Sequence, residues 1–141
     1  MKKIGMAILA FAAFIYFNFK TNAQERDMSN PFFSEYKTPF QVPPFNDIKL
    51  EHFKPAMQAG IAEQLTEIKA ITDNQEEPNF ENTILAFDNS GELLSKTRIF
   101  SNLNSANTND KMQALAREIT PMLSAHRDNI MLNMELFKRV K

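Results

Sequence analysis

The sequence predicts an all-α segment, and three observations carry that reading. From Asn46 onward, apolar residues recur at steps of three and four. No stretch of any length alternates apolar and polar residues with the period of two that a half-buried strand requires. The breaks between periodic stretches are made of Asn, Asp, Thr and Pro, residue types that end one helix or cap the next. The expected architecture is an antiparallel helical hairpin or bundle segment of about three long helices plus a short last helix. An extended Pro/Phe-rich arm precedes it. The chain divides accordingly into residues 1–23, 24–45 and 46–141.

Residues 1–23 read as a signal peptide. Lys2 and Lys3 precede an apolar run from Ile4 to Phe17, and Thr21 and Ala23 give a small-x-small exit. The run is shorter than the roughly 20 residues of a bilayer span, so cleavage after Ala23 is expected. An uncleaved membrane anchor is the alternative. Cleavage removes Lys2, Lys3 and Lys20, lowering the cations from 16 to 13 against 17 acids, a net charge of −4. That balance argues against nucleic acid as a partner. With no cysteine in the chain, disulfides, thiolate metal sites and a cysteine nucleophile are excluded.

Residues 24–45 form the arm. "NPFFSEYKTPFQVPPF" holds four prolines and five aromatics. Proline fixes its own φ and biases its predecessor towards extended geometry, so irregular or polyproline backbone is expected. A proline-rich ligand is one reading. The favoured one is an arm pinned on the helices by Phe32, Phe33, Tyr36, Phe40 and Phe45.

The first helix is expected from about Glu51 to Thr72. Phe53, Met57, Ile61, Leu65, Ile68 and Ile71 form its apolar face, and Pro55 is tolerated because it lies in the first turn. "TDNQEEPN" ends it. The second helix begins after Asn79 as N-cap, with Glu81 near the positive end of the dipole, and is expected to run to about Ala106. Its apolar residues fall on two sides. Phe80, Ile84, Phe87 and Leu94 share one face, and Leu85, Leu93, Ile99, Phe100 and Leu103 spread over the other. A helix apolar on two sides is buried between layers. Gly91, inside it, costs about 1 kcal/mol relative to Ala; close approach of another backbone is the expected return, and a simple helix defect the alternative.

"SANTND" makes the next connection, with Thr108 or Asn109 capping the third helix. Met112, Leu115, Ile119, Met122, Leu123, His126 and Ile130 form its face. Pro121 falls in its interior, so a kink or a one-turn break is expected. Asn133 caps a last helix, "MELFKRVK". That helix has barely begun an apolar face, and the second helix needs neighbours on two sides. Both features suggest a piece of a longer protein.

Site chemistry is sparse. His52 and His126 are the only histidines, and neither stands in an H-E-x-x-H. His126 reads as a packed, hydrogen-bonded side chain, and His52 as a capping or packing residue at a helix start. Glu76 and Glu77 could touch a cation weakly, but their spacing is not that of a calcium loop. The Asn-rich run "SNLNSANTND" reads as helix-end and turn chemistry. No G-x-S-x-G and no phosphate-cradling glycine loop occurs. No catalytic, cofactor-binding or metal-ligating residue is therefore assigned.

Four blocks in fixed order carry a resemblance: "FKPAM" at 53–57, "NFENTILAFDNSGELLSK" at 79–96, "SANTND" at 105–110 and "LNMELFKRV" at 132–140. Together with the lead-in "NPFF…PPFNDIKLEHFKPA", they resemble the N-terminal part of the thimet-oligopeptidase-like zinc metallopeptidases. The branch is that of peptidyl-dipeptidase (dipeptidyl carboxypeptidase) and oligopeptidase A. The resemblance covers about residues 30–141. It implies a large helical enzyme with two lobes around a channel. Zinc is held there by two histidines of an H-E-x-x-H helix and a further glutamate, and the motif glutamate activates a zinc-bound water. It also implies oligopeptide substrates, release of C-terminal dipeptides, and a channel-wall role for this segment against the catalytic part. No position here matches a zinc ligand or the catalytic glutamate, so the chain alone is expected to be inactive. With the signal peptide, a periplasmic location is expected, with no stable membrane span after cleavage. A free-standing exported interaction module is the competing expectation.

Overall fold

The computed structural model describes residues 26–141. Residues 1–23, assigned above to a signal peptide, lie outside the described part. The described residues are helical with no strand. Two short 3-10 turns, Pro31–Phe33 and Pro39–Gln41, punctuate the arm. Then come α1 (Leu50–Asp73), a π-helical turn (Phe80–Leu85) running into α2 (Ala86–Asp88), α3 (Glu92–Lys96), α4 (Ile99–Ala106), α5 (Asp110–Met131) and α6 (Met134–Val140).

Pairings along α1 give the topology. Phe53 meets Phe100, Gly60 meets Leu94 and Gln64 meets Ser90, so the second helical region runs antiparallel to α1. Lys54 meets Glu118 and Gln64 meets His126, so α5 runs parallel to α1. Up, down and up again is the order that short connections produce.

The expected helix ends are largely those observed. The His52 ring accepts the Lys49 N–H at 3.1 Å through Nδ1, a cap at the start of α1. Asn79 and Asn82 each accept the other's backbone N–H, at 2.8 and 3.0 Å. Asn109 Oδ1 takes the Met112 N–H, and Asn133 Oδ1 takes those of Glu135 and Leu136. Each satisfies donors that a helix start leaves without a partner.

Four expectations need correction. The second helix is not continuous from Asn79 to Ala106. It opens as a π-turn, stops at Asn89–Gly91, resumes as α3, breaks again at Thr97–Arg98 and ends as α4. Gly91 has φ +76°, the left-handed region that glycine enters without steric cost. Thr97, fully buried, bonds back through Oγ1 to the Leu94 carbonyl at 2.7 Å, which competes with the helical ladder. Secondly, close backbone approach is made at Gly60, not at Gly91. A Cβ on Gly60 would stand 2.7 Å from the Leu94 nitrogen and 2.8 Å from its Cα, whereas the nearest atoms to one on Gly91 belong to the Gln64 side chain. Thirdly, of the kink or one-turn break expected at Pro121, the break does not occur: α5 is helical from Asp110 to Met131. Pro121 and Arg117 are exposed, so the Arg117 carbonyl deprived of its helical donor sits on the solvent side. Lastly, the arm is pinned by part of its aromatic set. Phe32 is fully buried and Phe33 and Tyr36 pack on the core, but Phe40 is 100% exposed and Phe45 half exposed.

Two clusters make the interior. The larger joins Phe32, Phe53, Ala56, Met57, Leu93, Phe100 and Ile119. Its centre is aromatic: the Phe32 and Phe53 rings are 5.0 Å apart and those of Phe53 and Phe100 5.2 Å, both inclined, as ring quadrupoles favour. The smaller joins Ile68, Ile71, Ile130 and Leu136, flanked by Ala86 and Phe87.

Candidate functional site

The polar chemistry of the interior gathers where the second helical region is interrupted. "DNSG" at 88–91 is four turn-favouring residues in succession. The polar face of α1 opposes it. Glu67 Oε2 accepts the Gly91 N–H at 2.7 Å, one turn beyond Gln64. Gln64 Nε2 donates to Ser90 Oγ at 3.2 Å, and Ser90 Oγ donates to the Phe87 carbonyl at 2.7 Å. On its other side, Gln64 Oε1 meets His126 Nε2 at 2.8 Å. One amide thus joins α5, α1 and the turn.

The direction of these bonds fixes the imidazole. Gln64 uses its NH2 on Ser90, so its oxygen accepts from His126, and the ring carries its proton on Nε2. His126 Nδ1 is then a buried acceptor without a partner. Burial holds the His126 pKa below the ordinary 6.5, because a charged ring would be poorly solvated there. The packed, hydrogen-bonded histidine expected from the sequence is what the structure contains. Gln64, Glu67 and Ser90 were not anticipated; the polar positions 64 and 67 on an otherwise apolar-lined helix, opposite "DNSG", were the available signal.

Outside this joint lies an open cleft of about 590 Å³, lined by Gln64, Asp88, Ser90, Glu92, Ser95 and Arg98 among others. A smaller apolar hollow of about 210 Å³ lies between Met57, Leu94, Phe100 and Leu123. Serine hydroxyls and carboxylates share the larger cleft, but the Ser90 hydroxyl donates to the Phe87 carbonyl and no hydrogen bond joins Ser90 or Ser95 to the Asp88 or Glu92 carboxylate.

A second polar feature ties α6 to the loop after α1. Arg139 donates from one terminal nitrogen to the Asn74 and Glu76 carbonyls, at 2.6 and 3.3 Å, and from the other to Asn82 Oδ1 at 3.2 Å. Its Nε is buried without an acceptor. Glu76 and Glu77 are both exposed on this loop.

Among the described residues, no group of three or more His, Cys, Asp or Glu side chains could hold a metal ion. His52 and His126 each already spend a ring nitrogen on an internal partner, and they sit on different helices. These residues do not fit a zinc site. No helix among them is long and apolar enough to cross a membrane.

No protein-family model matches the chain. Over 112 residues it is 40% identical to the dipeptidyl carboxypeptidase of Escherichia coli (strain K12), covering 79% of this chain and 16% of that protein. Over 113 residues it is 39% identical to the dipeptidyl carboxypeptidase of Salmonella typhimurium (strain LT2), covering 79% and 17%. The chain therefore spans about one sixth of the length of these relatives. At that identity, over 79% of its length, the chain is related to one portion of the much larger dipeptidyl carboxypeptidases.

Proposed function

We propose that this chain is the N-terminal helical segment of an exported zinc metallopeptidase, one whose full-length form would release C-terminal dipeptides from oligopeptides. The carrying observation is the 40% identity over 112 residues to a dipeptidyl carboxypeptidase. On this reading the segment walls the substrate channel and packs against the catalytic part. The zinc and the H-E-x-x-H helix belong to that other part, and no step of the reaction runs through residues 26–141. A further observation favours such packing. Phe80, Ile84 and Leu85 on the π-turn, and Met134, Phe137 and Val140 on the neighbouring α6, are large apolar side chains left in solvent. Patches of this kind mark surfaces that other protein covers. Residues 1–23 would direct export to the periplasm and be removed after Ala23.

The test is reconstitution. The chain is mixed with a separately expressed dipeptidyl carboxypeptidase lacking the matching segment, and dipeptide release is followed with added zinc. Neither piece should be active alone, and the mixture should be. Activity of the chain by itself, above background, would overturn the reading. Mass analysis of the exported product should show Gln24 as its first residue.

The same apolar face favours a second reading, a free-standing exported module that binds a protein partner. It predicts cooperative unfolding of the chain with a sharp midpoint and no gain of activity on mixing.

A further inference from the structure

The joint between α5, α1 and the Ser90–Gly91 turn depends on one imidazole in one protonation state. His126 is 5% exposed, its Nε2–H is committed to Gln64, and its Nδ1 faces no donor or acceptor. A second proton would place both a charge and an N–H in a position without a partner, which is among the costlier changes a packed interior can undergo. The surroundings offer no ready counter-charge. On α5 the residues one turn away are Met122, Leu123, Asn129 and Ile130, while Arg127 and Asp128 are exposed. On α1, Glu63 is paired with Arg26 and Glu67 is held by the Gly91 N–H. Around the turn, Asp88, Glu92 and Arg98 line the open cleft.

We propose that His126 is an acid-sensitive latch: proton uptake at Nδ1 drives the ring out of its packed position and frees Gln64, loosening the hold of α1 on the Ser90–Gly91 turn. Gln64 is the positioning residue that carries the change. Once its oxygen loses the imidazole, the amide is held only from the Ser90 side, by long bonds from its NH2 to the Ser90 hydroxyl and carbonyl, at 3.2 and 3.5 Å. The 88–98 cleft, which Gln64 helps to line, then changes shape on acidification. The coupling is intrinsic to residues 64, 90 and 126 and is independent of what the larger protein does.

Nuclear magnetic resonance on the full chain tests this directly. The His126 Cε1–H resonance should titrate with a midpoint below 6.5. The Gln64 side-chain amide and the Ser90 N–H should shift with that same midpoint. E67Q keeps an oxygen for the Gly91 N–H while removing the carboxylate's own titration, and the response should survive it. H126F, which fills the ring volume without a titratable nitrogen, should abolish the response. Three results would overturn the proposal: His126 titrating at the ordinary histidine value, Gln64 and Ser90 signals unmoved while His126 titrates, or a Ser90 response persisting in H126F through Asp88 or Glu92.

Discussion

At one end of α1, Phe53 is enclosed by Phe32 from the arm and Phe100 from α4, and Ala56, Met57 and Ile119 complete a closed cluster. At the other end, Ile68 and Ile71 meet Ile130 and Leu136, while Phe80, Met131, Leu132, Met134 and Phe137 stand largely in solvent. Both ends are served by the same two long helices. The difference is the arm. Asn30 caps the Pro31–Phe33 turn through the Phe32 N–H at 3.1 Å and donates to the His52 carbonyl at 2.9 Å, which seats Phe32 over the helix ends. Irregular chain closes a core that helices alone leave open. At the far end, the short α6 covers the cluster beside Ala86 and Phe87 of α2, and it buries Leu136 while leaving Met134, Phe137 and Val140 exposed. Burying a large apolar side chain contributes about 1.5–3 kcal/mol, so the open end forgoes stabilisation that covering protein could supply.

The contrast can be broken at several points, most severely at the closed end. Phe32→Ala removes a ring that is 0% exposed and leaves its cavity in an aromatic cluster. A loss of about 3–5 kcal/mol is expected, read as the shift in urea-unfolding midpoint. Gly60→Ala should come next. Its new Cβ meets backbone at Leu94, which cannot rotate away, so overpacking of roughly 1–3 kcal/mol should outweigh the helix-propensity gain of about 1 kcal/mol. At the open end, Arg139→Lys keeps the charge but loses the planar fork that spans Asn74, Glu76 and Asn82. About 1 kcal/mol and faster amide exchange across residues 74–82 are expected. The smallest effect belongs to Phe137→Ser. At 57% exposed, the side chain should change stability by less than about 0.5 kcal/mol while raising solubility and lowering dye binding. A large destabilisation there would mean that the open end is better packed than it looks.

Acidity sharpens the same comparison. The His126 pKa is depressed in the folded chain, so the unfolded chain binds more protons as the pH falls below the ordinary 6.5. Stability should be complete above that pH and decline as the pH drops through the folded midpoint, with H126F flattening the profile. Alkali acts through Tyr36, whose buried hydroxyl has no partner and whose pKa burial raises. Its contribution is present below pH 10 and should be lost as the pH rises through the higher folded value.

Helix existence and capping were legible in the sequence because they depend on local chemistry. Asn79, Asn109 and Asn133 each stand immediately before a periodic stretch and each caps it. The continuity of the second helix was misjudged because periodicity registers where apolar residues fall, not whether φ stays negative between them. "DNSG" and the buried Thr97 carried the interruption, and both are turn or back-bonding chemistry. Gly60 was overlooked for the opposite reason. It lies in a helix whose pattern is otherwise regular, and only the neighbour's position shows that its missing side chain matters. The polar joint was legible in part. His126 was recognisable as a packed histidine, but its partner lies 62 positions away in sequence.

The Gly60–Leu94 contact also divides the two positions by what variation they tolerate. At 94 the contacting atoms include the backbone nitrogen and Cα, which every residue possesses, so the crossing itself places little demand on the side chain. At 60 the demand is for the lack of one. A saturation scan should therefore find every replacement at position 60 destabilising, and more so as the side chain grows. Position 94 should respond only to size and polarity, even though the two touch.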